Sequence, residues 1–228
     1  MITFNKNIII ILSLISGVVS SFGLPPYNLF ILNFFTLPIF FILTLHSLKI
    51  GKMSSFLCGL SFGFGYYISS LYWITNALTF DENLKFLIPI SFISIPVFLG
   101  SFYGLGTLIT SYFRIKKNYS SVLIFALLIS LSDYLRGQIF TGFPWQMFAY
   151  SISSQLSSIQ ILQFTGTYTL NLLVLTIFLT PCILFLQINK NYKLLITTFF
   201  ILLISLNSIF GSISLKNNNK QKNIIERK

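Results

Sequence analysis

Residues 86–113 read FLIPISFISIPVFLGSFYGLGTLITSYF, with no charged side chain anywhere in the run. A hydrocarbon layer about 30 Å thick is crossed by roughly 20 apolar residues in a helix. The run is therefore long enough to span a bilayer. Working outward, comparable stretches lie at 54–78, 28–47 and 7–23 on one side, and at 120–138, 160–187 and 193–214 on the other. They predict an all-α fold, a polytopic transmembrane bundle of about seven helices. Residues 1–214 then form the membrane domain and residues 215–228 a polar, basic tail. The first stretch follows Lys6 and has the outline of a signal peptide. No clear small-residue cleavage site follows it, so it reads as a retained helix.

Composition supports this class. Of 228 residues, 54% are hydrophobic and 8% charged, against roughly 25% charged in an ordinary soluble domain. A soluble fold of this size hides only about 70% of the surface that its unfolded chain exposes. In a bilayer the surroundings are themselves apolar. Phe is plentiful, with 26 residues, and Asn, Lys and Ile recur in the loops, a coding bias that points to an AT-rich bacterial genome.

The net charge of +11 does not signal nucleic-acid binding, because the basic residues sit in short connections and form no stripe with interleaved aromatics. With the N-terminus placed in the cytoplasm, Lys6, Lys49, Lys52, Arg114, Lys116, Lys117, Lys190 and Lys193 all fall on the cytoplasmic side. The opposite connections hold Asp81, Glu82 and Lys85, and Arg136 near a longer loop. This is the positive-inside pattern of an inner-membrane protein. The tail, LKNNNKQKNIIERK over 215–228, departs from it, since seven crossings put its five basic residues outside. It reads as the start of a linker to a translocated domain, for which charge matters little.

Metal and cofactor chemistry have little to work with. Cys58 and Cys182 lie in apolar stretches with no C-x-x-C pair, and His46 is the one histidine. Neither a metal nor a cofactor is expected.

Three segments stand out. The first is Asp133-Tyr134-Leu135-Arg136-Gly137, followed by Thr141-Gly142-Phe143-Pro144-Trp145 and then Tyr150. Asp133 and Arg136 are three apart and share a helix face. An acid and a base at a membrane helix end are costly singly and tolerated as a pair. Gly142 and Pro144 favour a turn, and Trp145 and Tyr150 suit the membrane–water interface. One reading is a charged cleft mouth that binds a lipid headgroup. The other is a structural ion pair beside an interfacial loop. The second segment is Trp73 with Tyr66, Tyr67 and Tyr72, which reads most simply as an aromatic belt. The third is Phe22-Gly23-Leu24-Pro25-Pro26-Tyr27-Asn28, a tight turn between two helices.

In this order the three segments resemble apolipoprotein N-acyltransferase, the last enzyme of bacterial lipoprotein maturation. Pro26-Tyr27-Asn28 matches the family's first hairpin turn, and Gly59 to Trp73 its Gly-rich, aromatic third helix. Asp133 to Gly137, Thr141 to Trp145 and Ala149-Tyr150-Ser151 match its hallmark, with Asp133 where Glu is usual. Gly166 to Asn171 resembles the start of the following helix. The likeness covers nearly the whole chain.

The resemblance implies acyl transfer from a phospholipid to a lipoprotein N-terminus. In the family a nitrilase-like domain performs it with a Glu-Lys-Cys triad. That pattern does not follow Gly211, and neither cysteine has a Glu or Lys placed to activate it, so no catalytic residue is assigned. The expectation is the membrane domain of a truncated or split acyltransferase, inactive alone. Its partners would be phospholipids, lipoprotein substrates and a separate nitrilase-like chain. Its candidate lipid-entry residues are Arg136, Asp133, Trp145, Phe143, Tyr150 and Trp73. A small transporter or a scaffold subunit is the alternative. A transporter needs polar residues lining a path across the membrane, and here they gather at one end.

Overall fold

The computed structural model describes residues 5–225 apart from Arg114, Phe140, Thr141 and Gln187. Arg114, Thr141, Arg227 and Lys228, each used in the reading above, lie outside the described residues. The long helices are α1 (Lys6–Ser21), α2 (Asn33–Ile50), α3 (Lys52–Ser70), α4 (Ile88–Thr110) and α5 (Tyr119–Gln138). After the one-turn α6 (Leu156–Ile159) come α7 (Leu162–Phe178) and α8 (Lys190–Ile225). No strand occurs among the described residues. In hydrocarbon every backbone N–H and C=O must be satisfied within its own segment, and the helix does this without an edge.

Five of these helical segments have both the length and the hydropathy of a membrane span: Phe30–Ile50, Glu82–Thr110, Tyr119–Gln138, Leu162–Leu184 and Lys190–Asn217. The other two long helices are explained by their sequences. α1 has 16 residues, and α3 is diluted by serine and glycine. The chain is thus an all-helical membrane bundle. Its outer surface carries large apolar side chains such as Phe35, Ile90, Val97 and Leu127, all exposed on the isolated chain.

The boundaries differ from the hydropathy reading in several places; within the run over 160–187 the helix is interrupted at Gly166 (φ 69°) and ends at Phe178. The run over 54–78 breaks at Leu71 (φ −113°, ψ 11°), and 3₁₀ turns carry Tyr72–Thr79. α8 runs on to Ile225, well into the segment read as a polar tail. After Gly211 that segment contains neither glycine (beyond Gly211 itself) nor proline, so nothing local stops the helix.

α3 is the central element and packs most extensively on α1 and α4. Helices in lipid gain little from hydrophobic burial against each other, so they depend on close backbone approach through small residues. A Cβ on Gly63 would lie 2.6 Å from the Gly100 Cα, and one on Gly17 would collide with the Phe62 carbonyl. Ser55 and Thr107 lock the same contact with reciprocal hydroxyl-to-carbonyl bonds of 2.8 Å. The small faces let large rings fill the centre. Phe40 stacks on Phe62 at 3.9 Å between centroids, and Tyr66 stacks on Phe148 at 5.1 Å.

The turn between α1 and α2 is tight. Phe22 and Tyr27 meet edge to face at 5.0 Å, and the Leu29 N–H donates to the Phe22 carbonyl at 3.0 Å. Asn28 holds a left-handed φ of 57° and donates its side-chain amide to Pro26 O. Ser20 donates to Asn33 Oδ1 at 2.6 Å and ties the two helix ends together.

The close approach gives a test. Gly63→Ala should destabilise the purified protein by at least about 1–3 kcal/mol, the usual cost of overpacking. Ser101→Ala, at a half-buried position on α4, should be nearly neutral. Thermal unfolding in detergent compares the two. Equal stability of both variants would refute backbone contact between α3 and α4 at Gly63.

Candidate functional site

The segment singled out by its charges sits at the C-terminal end of α5. Asp133 and Arg136 face inward from successive turns, and both are buried, at 0% and 2% exposure. Arg136 Nη2 donates to Asp133 Oδ1 at 3.0 Å. Tyr103 of α4 donates its hydroxyl to the same oxygen at 2.9 Å, and Asn171 of α7 donates to Oδ2 at 2.8 Å. The carboxylate therefore binds three helices at one point. Arg136 also lies over the face of the Tyr67 ring, 5.2 Å from its centroid, a geometry that favours a cation.

The other guanidinium nitrogen holds the loop that follows. Nη1 donates to the Phe143 carbonyl and, at 2.7 Å, to the Trp145 carbonyl. The chain can turn back onto Arg136 because Gly142 takes a φ of +73°, which glycine adopts at no steric cost. The Phe143 N–H then returns to the Arg136 carbonyl at 2.9 Å. Gln146 is also left-handed, at φ 58°. Its carbonyl accepts from Tyr66 Oη at 3.2 Å, and its side-chain amide reaches Ser70 O at 3.3 Å. Beyond it Met147, Phe148 and Ala149 plunge into the core, and the Ala149 N–H donates to Asn171 Oδ1 at 3.1 Å. Residues 142–149 thus form a cap over the ends of α3 and α5.

The outer face of the cap is aromatic. The Trp73 and Trp145 rings stack at 5.5 Å, and Phe143 stacks on Trp145 at 6.0 Å. Trp145 is about half exposed, at 51%. Tyr150 braces the cap from below by donating to Pro144 O at 3.1 Å. Partial burial raises the Tyr150 phenol above its ordinary range, with the nearby Tyr168 adding to it, so the hydroxyl stays a donor.

All six candidate residues therefore fall in one assembly, divided between two roles. Asp133, Arg136 and Tyr150 hold the cap, while Trp73, Trp145 and Phe143 form its surface. In the described geometry the Asp133–Arg136 pair lies buried beneath the loop, and Arg136 is engaged by protein groups. The aromatic belt divides similarly. Tyr72 and Trp73 are exposed, but Tyr66 and Tyr67 are fully buried. The charge-based reading did not pick out Tyr103 or Gln146 as partners, and it had Asn171 only as part of a resemblance. The available signal for Asn171 was a lone amide inside an apolar helix.

The cysteines play no part in the cap. Cys58 Sγ is buried against Ser13 Oγ at 3.1 Å, and Cys182 is buried near the other end of α7. Among the described residues no three His, Cys, Asp or Glu side chains cluster as metal ligands would.

Fold and site together define an all-helical, multi-span membrane domain closed at one end by an arginine-held aromatic loop. The family model for the apolipoprotein N-acyltransferase N-terminal domain matches residues 16–180, a range that includes the whole cap. The chain belongs to that family. It is 33% identical over 180 residues to the apolipoprotein N-acyltransferase of Rhodopseudomonas palustris, covering 76% of this chain and 33% of the relative. It is 28% identical over 178 residues to that of Brucella melitensis, covering 75% and 33%. The match to that of Sinorhizobium medicae is 31% over 127 residues, covering 55% and 24%. The chain spans about a quarter to a third of the length of these curated relatives.

Removing one member of a buried ion pair strands the other and costs about 3–5 kcal/mol. Arg136→Gln should therefore destabilise the protein by about that much and expose residues 142–149 to proteolysis. Asn171→Leu should weaken the cap from its far side by about 1–3 kcal/mol, because it orphans the Ala149 N–H and one Asp133 oxygen. Limited proteolysis and thermal unfolding measure both. An Arg136→Gln protein with wild-type cap protection would show that the arginine does not hold the loop.

Proposed function

We propose that this chain is the lipid-handling membrane domain of a phospholipid-to-lipoprotein acyl transfer system in the bacterial inner membrane. The observation that supports it best is the Trp73–Trp145–Phe143 surface on a loop made rigid by the buried Arg136. Stacked, partly exposed aromatic rings suit the boundary between headgroups and acyl chains. A loop whose path is set from within offers them with little ordering cost when a lipid arrives. Arg136 acts on the loop rather than on a lipid phosphate, since both terminal nitrogens already donate to protein groups, Nη2 to Asp133 and Nη1 to two carbonyls.

In this reading the N-terminus is cytoplasmic and the cap faces the periplasm. The distribution of charge supports it. Lys49, Lys52, Lys116, Lys117, Lys190 and Lys193 flank the helix ends remote from the cap, and Asp81 and Glu82 lie on the connection between α3 and α4 near Trp73. The acyl-transfer step belongs to a nitrilase-like domain, whether joined to this chain or supplied by a second one. Phospholipids and lipoprotein substrates approach along the capped end.

Orientation is tested with single cysteines and a membrane-impermeant maleimide. Ser154→Cys, exposed beside the cap, should label in intact spheroplasts, and Lys117→Cys only after permeabilisation. The reverse pattern would overturn the topology. Lipid handling is tested in the chain co-expressed with, or fused to, a nitrilase-like domain in an acyltransferase-depleted strain. Trp145→Ala should lower the transfer rate up to about tenfold, since an aromatic contact contributes roughly 0.5–1.5 kcal/mol, while thermal stability changes little. Unchanged transfer by a Trp73→Ala/Trp145→Ala double variant would remove the aromatic face from the mechanism.

A further inference from the structure

The last helix stands apart from the bundle. α8 packs on α6 and on the 3₁₀ segment Thr180–Leu184 rather than along α7 or α5. Its firm contacts lie toward its C-terminal half, where Gly211 meets the Ser157 backbone and Asn207 donates to Ser158 O at 2.9 Å. Nearer its N-terminus it leaves a cleft of about 1050 Å³ against α5 and α7. Leu123 and Leu127 of α5, Leu173 of α7, and Leu195, Phe199 and Leu202 of α8 line it. These walls are almost wholly apolar, and many of the residues are exposed on the isolated chain.

The mouth of the cleft differs in chemistry from its walls. Tyr119 and Asn191, at the starts of α5 and α8, both line it. Lys116 and Lys117 lie three and two residues before Tyr119, and Lys190 and Lys193 flank Asn191. Lys117 also lines a smaller cavity with Phe185 and Leu186, the segment that leads into α8. Lysines from two connections therefore stand close in sequence to the two polar residues at the mouth, and Lys193 Nζ itself donates to Leu184 O at 3.4 Å. Among the described residues the acids are Asp81, Glu82 and Asp133, and none is on that connection or at that end of α5. An apolar slot with a cationic rim at the helix ends matches one kind of occupant, a lipid with an apolar tail and an anionic head.

We propose that the cleft between α5, α7 and α8 holds a resident anionic phospholipid, one acyl chain in the slot and the phosphate at the lysine rim. The lipid wedges α8 against the bundle and is distinct from any lipid at the aromatic cap, which lies at the opposite end of α5. The proposal requires only that the chain lies in a membrane, and it stands or falls separately from acyl transfer.

The test uses the full chain in phosphatidylcholine nanodiscs doped with a phosphatidylglycerol probe bearing a diazirine in one acyl chain. A phosphatidylcholine probe of the same chain serves as the comparison. After illumination, peptide mapping should place adducts mainly on Leu127, Leu173, Phe199 and Leu202, with the phosphatidylglycerol probe the more efficient by several-fold. Lys116→Gln/Lys117→Gln and Lys190→Gln/Lys193→Gln should each bring that preference close to parity, since each lysine near an anionic head contributes roughly fivefold, about 1 kcal/mol. Labelling at Ile39 and Ile93, exposed on other faces, should not change, and this separates lost binding from misfolding. Leu173→Trp, which fills the slot, should reduce adducts at Phe199 and Leu202. Equal labelling by the two probes would overturn the proposal. So would adducts spread evenly over all lipid-facing residues. A cleft protected from both probes while Ile39 and Ile93 react would assign it to a protein helix instead, and would overturn the proposal as well.

Discussion

A buried arginine in a membrane helix has to find partners for its charge and its donors, and the capped end of this protein is built around that requirement. Arg136 is answered by one carboxylate, one ring face and two carbonyls. The carboxylate in turn recruits Tyr103 and Asn171 from two other helices, and Asn171 reaches on to the loop at Ala149. A single pair thereby couples α4, α5 and α7 with the segment that covers them. Away from water such a network gains strength with each satisfied member and loses heavily when one is missing. Among the described residues the buried Nε of Arg136 has no hydrogen-bond partner.

The middle of the bundle follows a different constraint. Between helices in lipid there is no water to expel, so attraction comes from packing at short range. Gly17 of α1, Gly63 and Gly65 of α3 and Gly100 of α4 lie where backbones touch, and the aromatic side chains beside them fill the volume. The two strategies meet at Tyr66 and Tyr67. Their rings belong to the aromatic core, while Tyr66 donates to the cap and Tyr67 lies beneath the arginine.

Much of this was legible in the sequence, because hydrocarbon thickness sets the length of a span and charge marks its ends. The seven apolar runs, the tight turn at Pro25-Pro26 and the pairing of Asp133 with Arg136 could all be read from spacing. Other features depended on contacts between distant residues. Tyr66 and Tyr67 look interfacial in a linear reading, because tyrosine is common at membrane boundaries, and only the packing of α3 between α1 and α4 buries them. Tyr103 sits in an ordinary apolar run with no local mark that its hydroxyl meets a carboxylate thirty positions away. The extension of α8 through an Asn- and Lys-rich stretch was equally hidden, since that composition suits a solvated helix as well as a coil.

Arg136 grips the cap through the carbonyls of residues 143 and 145, not through their side chains. Every amino acid carries such a carbonyl. The course of the loop is therefore largely indifferent to which side chains it displays, provided that residue 142 tolerates a left-handed turn. Evolution can exchange the groups presented at the membrane surface without redesigning the support beneath them. The arginine, by contrast, has no comparable freedom.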